Sequence, residues 1–168
     1  MEDTLKRANK VLGTNYNDWF KVSIHKGLTE DFIREFADNV DWRSISRLQH
    51  LSVNFIREFK DWVVWDNISA SQHLSEDFIR EFAYKVNWYR ISSCQRLSEE
   101  FIREFKDRVY WGCISKYQHL SKEFIEEFKD IIYMRGIADS WYYKSTEEKK
   151  RAVMDTGLYE CHEDHFIA

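Results

Sequence analysis

Apolar side chains recur along this chain at a fixed spacing, with charged and polar residues between them. Residues 74–96 show the full unit, in which a Leu is followed by Phe-Ile, a second Phe, Val, Trp and Ile. A leucine opens each copy, at Leu28, Leu51, Leu74, Leu97 and Leu120. Because this 23-residue period covers most of the chain, it predicts a repeat architecture.

Each unit is predicted to form two short helices. Ser75 is a favourable N-cap, because its side-chain oxygen can accept from a backbone N–H of the first turn. The apolar stripe of the first helix consists of Phe78, Ile79, Phe82 and Val86. At roughly 100° per residue, Trp88 and Ile91 would point away from that stripe, so we expect a break after Val86. Asn87 is the predicted N-cap of the second helix.

The residue at this second cap position differs between copies. Asp18 and Asp41 can accept backbone hydrogen bonds there, as Asn87 can. Three copies carry a residue that cannot cap, namely Val64, Tyr110 and Tyr133. We therefore expect the second helix to start less cleanly in those copies.

The predicted fold is all-α, a right-handed α-solenoid of short helical-pair repeats with degenerate terminal caps. One unit buries too few apolar side chains to offset the entropy of ordering its backbone, so neighbouring units must cover each other. Four parts are predicted. They are residues 1–27, a degenerate N-terminal capping repeat; 28–119, four full repeats; 120–142, a degenerate fifth repeat; and 143–168, a C-terminal helix and tail.

Three polar rows repeat with the same period. A glutamine row, predicted to close the turns between repeats by hydrogen bonds, contains Gln49, Gln72, Gln95 and Gln118. A serine row, predicted to let helices cross closely, contains Ser46, Ser69, Ser92 and Ser115. Arg-Glu pairs recur at 34–35, 57–58, 80–81 and 103–104. They form either salt bridges within and between repeats, the favoured interpretation, or a charged recognition ladder.

Composition and charge limit the partners and compartments that are expected for this chain. The formal net charge is -4, and phosphate binding usually shows as a basic excess, so no nucleic-acid partner is expected. The first residues contain no apolar signal region and no apolar run approaches ~18 residues, so no membrane association is expected. The 3 cysteines stand at unrelated repeat positions, which favours a reducing, intracellular setting over a disulfide framework.

Metal-ligand residue types occur in two places. His50, His73 and His119 share one repeat position, but helices stacked about 8–10 Å apart cannot easily share a zinc ion bound at about 2.0–2.1 Å. The densest cluster is C-terminal and consists of Cys161, His162, Glu163, Asp164 and His165. Because no second Cys/His pair accompanies it, an ordinary polar tail is favoured and no cofactor is expected.

Surface variation gives the clearest indication of function. No nucleophile elbow, phosphate-cradling glycine loop or paired-carboxylate signature is present, so we expect no enzyme. Exposed positions differ between copies, and Tyr, Trp and Arg are enriched at binding hot spots. The predicted partner-binding residues are Trp62, Tyr84, Tyr89, Arg90, Tyr110, Lys116 and Tyr117. Drift at unconstrained surface positions is the competing interpretation.

The unit L-S-E-D-F-I-R-E-F-x-x-x-V-N-W-x-x-I-S-x-x-Q at residues 74–95 resembles a known type of repeat. It is similar to tandem repeats of uncharacterised proteins from giant DNA viruses of amoebae, marseillevirus-like and mimivirus-like, and from phages. The resemblance covers about residues 28–142. It implies a viral protein made in a host cell and brings no established activity or catalytic residues.

The leading hypothesis is a non-enzymatic repeat protein that serves as a protein-protein interaction or scaffold module. Its partner would be a host or viral protein, in the host cytoplasm or in the virion. One alternative is a structural virion protein or self-assembling protein, which would form homo-oligomers. The other is a metal-dependent module that uses the cluster at residues 161–165.

Overall fold

A computed structural model describes residues 2–134, and side chains within that range from residue 3 to residue 132. The chain divides into two compact units, Met1–Gln72 and His73–Ala168. All regular secondary structure of the described residues is helical, which confirms the predicted all-α class. The predicted C-terminal helix and the cluster at 161–165 lie outside the described residues.

Twelve helices occur in residues 2–134. The first helices of the repeats are α3 (Glu30–Glu35), α5 (Val53–Glu58), α7 (Glu76–Glu81), α9 (Glu99–Glu104) and α11 (Lys122–Glu127). The second helices are α2 (Trp19–Ser23), α4 (Trp42–Leu48), α6 (Trp65–Ser71), α8 (Trp88–Cys94) and α10 (Trp111–Tyr117). The two terminal helices are α1 (Glu2–Leu12) and α12 (Lys129–Met134).

Second helices pack against second helices in both units. In the first unit α2 packs on α4 and α4 packs on α6; in the second unit α8 packs on α10, which also packs on the terminal helix α12. The fully buried core contains the Phe and Ile of the repeat, among them Phe55, Ile68, Phe101 and Ile114. Within each unit, helical pairs thus pack in succession as in an α-solenoid. The right-handed sense stays a prediction.

The predicted caps are present. Ser75 accepts from the backbone N–H of Phe78, and Asn87 accepts from the N–H of Arg90. Val64 and Tyr110 make no side-chain cap bond, as expected. The expected effect on the helix start is wrong, because α6 and α10 begin at Trp like the other second helices.

The first helix is shorter than the sequence predicted. In the fourth repeat α9 ends at Glu104, although the apolar stripe continues to Val109. To continue past Val109, a helix would need the Lys106 carbonyl to accept from the N–H of Tyr110. Instead, Lys106 accepts from the Trp111 indole at 2.9 Å. The N–H of Tyr110 donates to Ser92 of the preceding repeat, also at 2.9 Å.

The fifth copy departs from this turn. Met134 stands at the Trp position, so no indole competes for the Lys129 carbonyl. Here α12 runs through the positions that form the turn in other copies. The prediction that Tyr133 precedes a second helix is therefore wrong, because Tyr133 lies inside α12.

The N-terminal segment makes hydrogen bonds that belong to the second helix of a repeat. Asp18 caps α2 by accepting from the N–H of Lys21 at 2.8 Å. Ser23 accepts from the N–H of Asp41 at 2.8 Å, the bond that later serines make. Before them α1 ends at Leu12 and is followed by Gly13, whose φ of 65° lies in the left-handed region that favours glycine.

Candidate partner-binding surface

The glutamine row joins successive repeats within each unit. The Gln118 side chain is buried and makes three backbone hydrogen bonds. Its Oε1 accepts from the N–H of Leu97 at 3.1 Å, while its Nε2 donates to the carbonyls of Ser92 and Gln95 at 3.1 and 2.8 Å. Gln49 and Gln72 do the same in the first unit. The predicted role of the row is confirmed.

The serine row bonds to backbone groups as well as being small. Ser92 is fully buried, donates to the Trp88 carbonyl at 2.7 Å and accepts from the N–H of Tyr110 at 2.9 Å. Ser46 bonds to Trp42 and Val64 in the same way. This second function was missed from sequence, because it depends on a backbone group 18 residues further along the chain.

The repeating arginines join first helices to one another. Arg34 Nε donates to Glu58 at 2.9 Å, and its guanidinium lies 5.0 Å from the centroid of the Phe55 ring. The equivalent pairs in the second unit are Arg80 with Glu104 and Arg103 with Glu127, each at 2.8 Å. The hydrogen bond to the glutamate raises the pKa of each arginine above its ordinary value. These contacts favour the salt-bridge interpretation over a recognition ladder.

The seven predicted partner-binding residues fall in both compact units. Trp62 lies in the first unit, whereas the other six lie in the second. Its ring is 47% exposed and packs 5.7 Å from the centroid of Trp42. Trp62 therefore also covers a structural tryptophan, so a substitution there changes packing as well as the surface.

Three of the six residues in the second unit are in contact. Tyr89, in the first turn of α8, is 48% exposed, and Tyr110, just before α10, is 51% exposed. Their rings meet edge to face with centroids 5.5 Å apart. The Arg90 guanidinium carbon lies 5.8 Å from the Tyr89 ring centroid. Two adjacent repeats thus contribute to one exposed aromatic surface.

Arg108 extends this surface and was missed from sequence. Its Nη1 donates at 2.9 Å to the carbonyl of Ala83, the residue before Tyr84, and the Tyr84 side chain is 71% exposed. We name Tyr84, Tyr89, Arg90, Arg108 and Tyr110 the Tyr-Arg patch. Arg108 shares its repeat position with Trp62 and Lys85. The variation among these three residues was the feature of the sequence that could have identified Arg108.

Lys116 and Tyr117 stand apart from this patch along the chain. They end α10, whereas Tyr110 precedes the start of the same helix. Tyr117 is half-buried, and the Lys116 ammonium lies 5.5 Å from its ring centroid. Neither belongs to the contacts that join Tyr89 to Tyr110.

Other candidate sites find little geometric support. His50, His73 and His119 are exposed, and no group of three metal-ligand side chains occurs within the described part of the chain. Cys113 is buried in the core and Cys94 is half-buried. No helix among the described residues combines the length and apolarity needed to cross a membrane.

Comparison with family models finds no match to this chain. Comparisons with curated proteins and with solved structures also find none.

Proposed function

We propose that this chain is a non-enzymatic repeat protein that binds another protein, serving as an interaction or scaffold module. The carrying observation is the contact between Tyr89 and Tyr110, two half-exposed rings from neighbouring repeats, with Arg90 beside them. Large exposed aromatics and arginines are the side chains that contribute most at protein interfaces. The repeat scaffold holds them on short, tightly hydrogen-bonded helices, which lowers the entropy lost on binding.

The rest of the proposal rests on the resemblance of the repeat. On that basis we propose a protein of a virus-infected cell, in the host cytoplasm or in the virion, with a host or viral protein as partner. Capture from an infected amoebal host, read by mass spectrometry, is the appropriate search.

The test uses a triple variant, Tyr84→Ala, Tyr89→Ala and Arg90→Ala. Trp62 is left intact because it packs on Trp42. We expect the variant to lose the captured partner while its melting temperature changes little. His119→Ala, at an exposed position between repeats, is the control and should keep the partner. Undiminished capture by the triple variant would remove this surface from the proposal.

Self-assembly as a structural protein is the second candidate. Phe20 and Ile24, four residues apart at α2, are 57% and 39% exposed, and Val11 of α1 is 64% exposed. The helices α1 and α2 pack together. Light scattering across a concentration series distinguishes the candidates, since only self-assembly makes the mass grow with concentration. Phe20→Ser should suppress that growth.

A further inference from the structure

We infer that the Tyr-Arg patch binds an acidic peptide segment whose carboxylates are spaced to match adjacent repeats. The inference rests on the proposed function, because it names the partner chemistry of that surface. Its starting point is a difference in charge between copies that the net charge of the chain conceals.

The part of each repeat that follows the first helix carries a different net charge in the two units. In the second unit, residues 82–95 contain Lys85 and Arg90 and no acidic residue. Residues 105–118 contain three cations against Asp107. In the first unit, residues 36–49 are balanced and residues 59–72 carry an acidic excess. The Tyr-Arg patch therefore lies in the two copies in which this part of the repeat is basic, although the whole chain has a formal net charge of -4.

Charge and ring surfaces are in contact here. Arg90 lies over the Tyr89 ring, and the Tyr89 and Tyr110 rings meet edge to face. Arg108 is anchored by one nitrogen to the Ala83 carbonyl. A guanidinium can bind a carboxylate through two parallel hydrogen bonds, while the tyrosine faces offer apolar contact to the residues between.

The repeat spacing sets the spacing of the carboxylates. Arg90 and Arg108, the two cations of the patch, belong to adjacent repeats, whose second helices α8 and α10 pack together, and packed helices are separated by about 8–10 Å. Three residues of extended chain span about 10 Å at ~3.3 Å each. A segment with acidic residues three apart therefore matches the cations of two adjacent repeats.

A nucleic acid fits this surface less well. Each of the first helices α7 and α9 has three acidic residues to one arginine, so a polyanion running past the patch meets like charge. Asp107, beside Arg108, is exposed as well. A short peptide can place its carboxylates at the cations and avoid these groups.

The experiment is a fluorescence anisotropy titration of the full chain with the labelled peptide Gly-Glu-Leu-Gly-Glu-Leu-Gly. The same peptide with Gln for Glu should bind at least about tenfold more weakly, as loss of a charge-assisted contact is worth about that factor. Affinity should also fall as salt is added. Equal binding of the two peptides would overturn the inference.

Three variants locate the site. The pair Arg90→Glu and Arg108→Glu should abolish saturable binding. Lys122→Glu makes the same charge change on α11, at the position where α9 carries Glu99, and should bind as the parent does. Tyr110→Asn removes a patch ring but supplies the cap that Asn87 provides; it should bind about tenfold more weakly while the melting temperature rises. Binding lost through unfolding would show the opposite thermal shift.

A labelled oligothymidylate is titrated in parallel. If it binds more tightly than the peptide and is lost in the Arg90→Glu, Arg108→Glu variant, the patch is a nucleic-acid site and the inference fails. If no probe saturates, the inference fails too. Partner capture with the same variant then shows whether the proposed interaction function stands, because a partner lost there requires the patch without requiring an acidic segment.

Discussion

At the scale of single residues, buried polar side chains determine how one repeat joins the next. Gln118 is 6% exposed, and its amide is fully used by three backbone groups. These groups are shielded from water, so removing the amide leaves several polar atoms without a partner. Leaving such atoms unsatisfied costs more free energy than the net contribution of the hydrogen bonds to stability.

Gln118→Leu tests how much these buried hydrogen bonds contribute to stability. We expect a loss of about 3 kcal/mol in the free energy of unfolding, from unsatisfied backbone groups at ~1–3 kcal/mol each. Urea unfolding followed by circular dichroism gives the value. His119→Ala, at the exposed neighbouring position, should change stability by less than about 0.5 kcal/mol. A Gln118→Leu effect as small as the control would mean that water replaces the amide.

The tryptophan row offers a matched pair of substitutions. Trp111 donates its indole N–H to Lys106 at 2.9 Å, whereas the buried indole nitrogen of Trp19 is without a partner among the described residues. Trp111→Phe removes this hydrogen bond and leaves the Lys106 carbonyl without it, so we expect a loss of about 1–2 kcal/mol. Trp19→Phe removes only an unsatisfied donor and should cost clearly less. Thermal unfolding of both variants compares them, and equal losses would mean that ring size alone matters.

At the scale of helices, N-caps follow from sequence while helix ends do not. The Ser, Thr, Asp and Asn caps act on backbone groups two or three residues away, so their role is readable locally. The turn between α9 and α10 depends on Ser92 of the preceding repeat and on the Trp111 indole, which bond to the backbone of Tyr110 and Lys106. The hydrophobic stripe alone suggested a helix to Val109, because that residue is buried even though it lies in the turn.

Val64→Asp should add a cap that the first unit lacks. Asp41 at the equivalent position accepts from Ser44, while Val64 makes no cap bond. We expect a gain of about 1 kcal/mol in unfolding free energy, and Asp41→Ala should lose a similar amount. Chemical denaturation of the two variants measures both. A loss of stability with Val64→Asp would show that packing of the half-buried Val64 side chain contributes more than an N-cap hydrogen bond.

At the scale of the molecule, sequence predicted the repeat and only part of the candidate surface. The period identified the core and the all-α class, because core positions are the same in each copy. It grouped seven residues as exposed, although Arg90 and Tyr117 are half-buried, and Arg108 was missed. Which exposed residues touch depends on side-chain direction across repeats. Arg108, for example, reaches back to Ala83, 25 residues earlier.

Contacts between successive repeats also predict that one copy can be removed in register. Deleting residues 97–119 places Leu120 after Arg96, so Ser121 takes the place of Ser98 against Glu76 and Glu127 takes the place of Glu104 against Arg80. Because stability in repeat proteins sums over repeats and their nearest neighbours, the shortened chain should fold cooperatively with a smaller denaturant m-value.

Deleting residues 97–109 is the control, because it removes less chain but takes α9 without α10. It leaves α10 without the first helix of its repeat and shifts every later residue out of register with Glu76 and Arg80. We expect this chain to lose the cooperative transition that the in-register deletion keeps, as measured by circular dichroism during urea unfolding. Similar unfolding of both deletions would mean that contacts beyond nearest neighbours hold the second unit together, and that its repeats are not interchangeable.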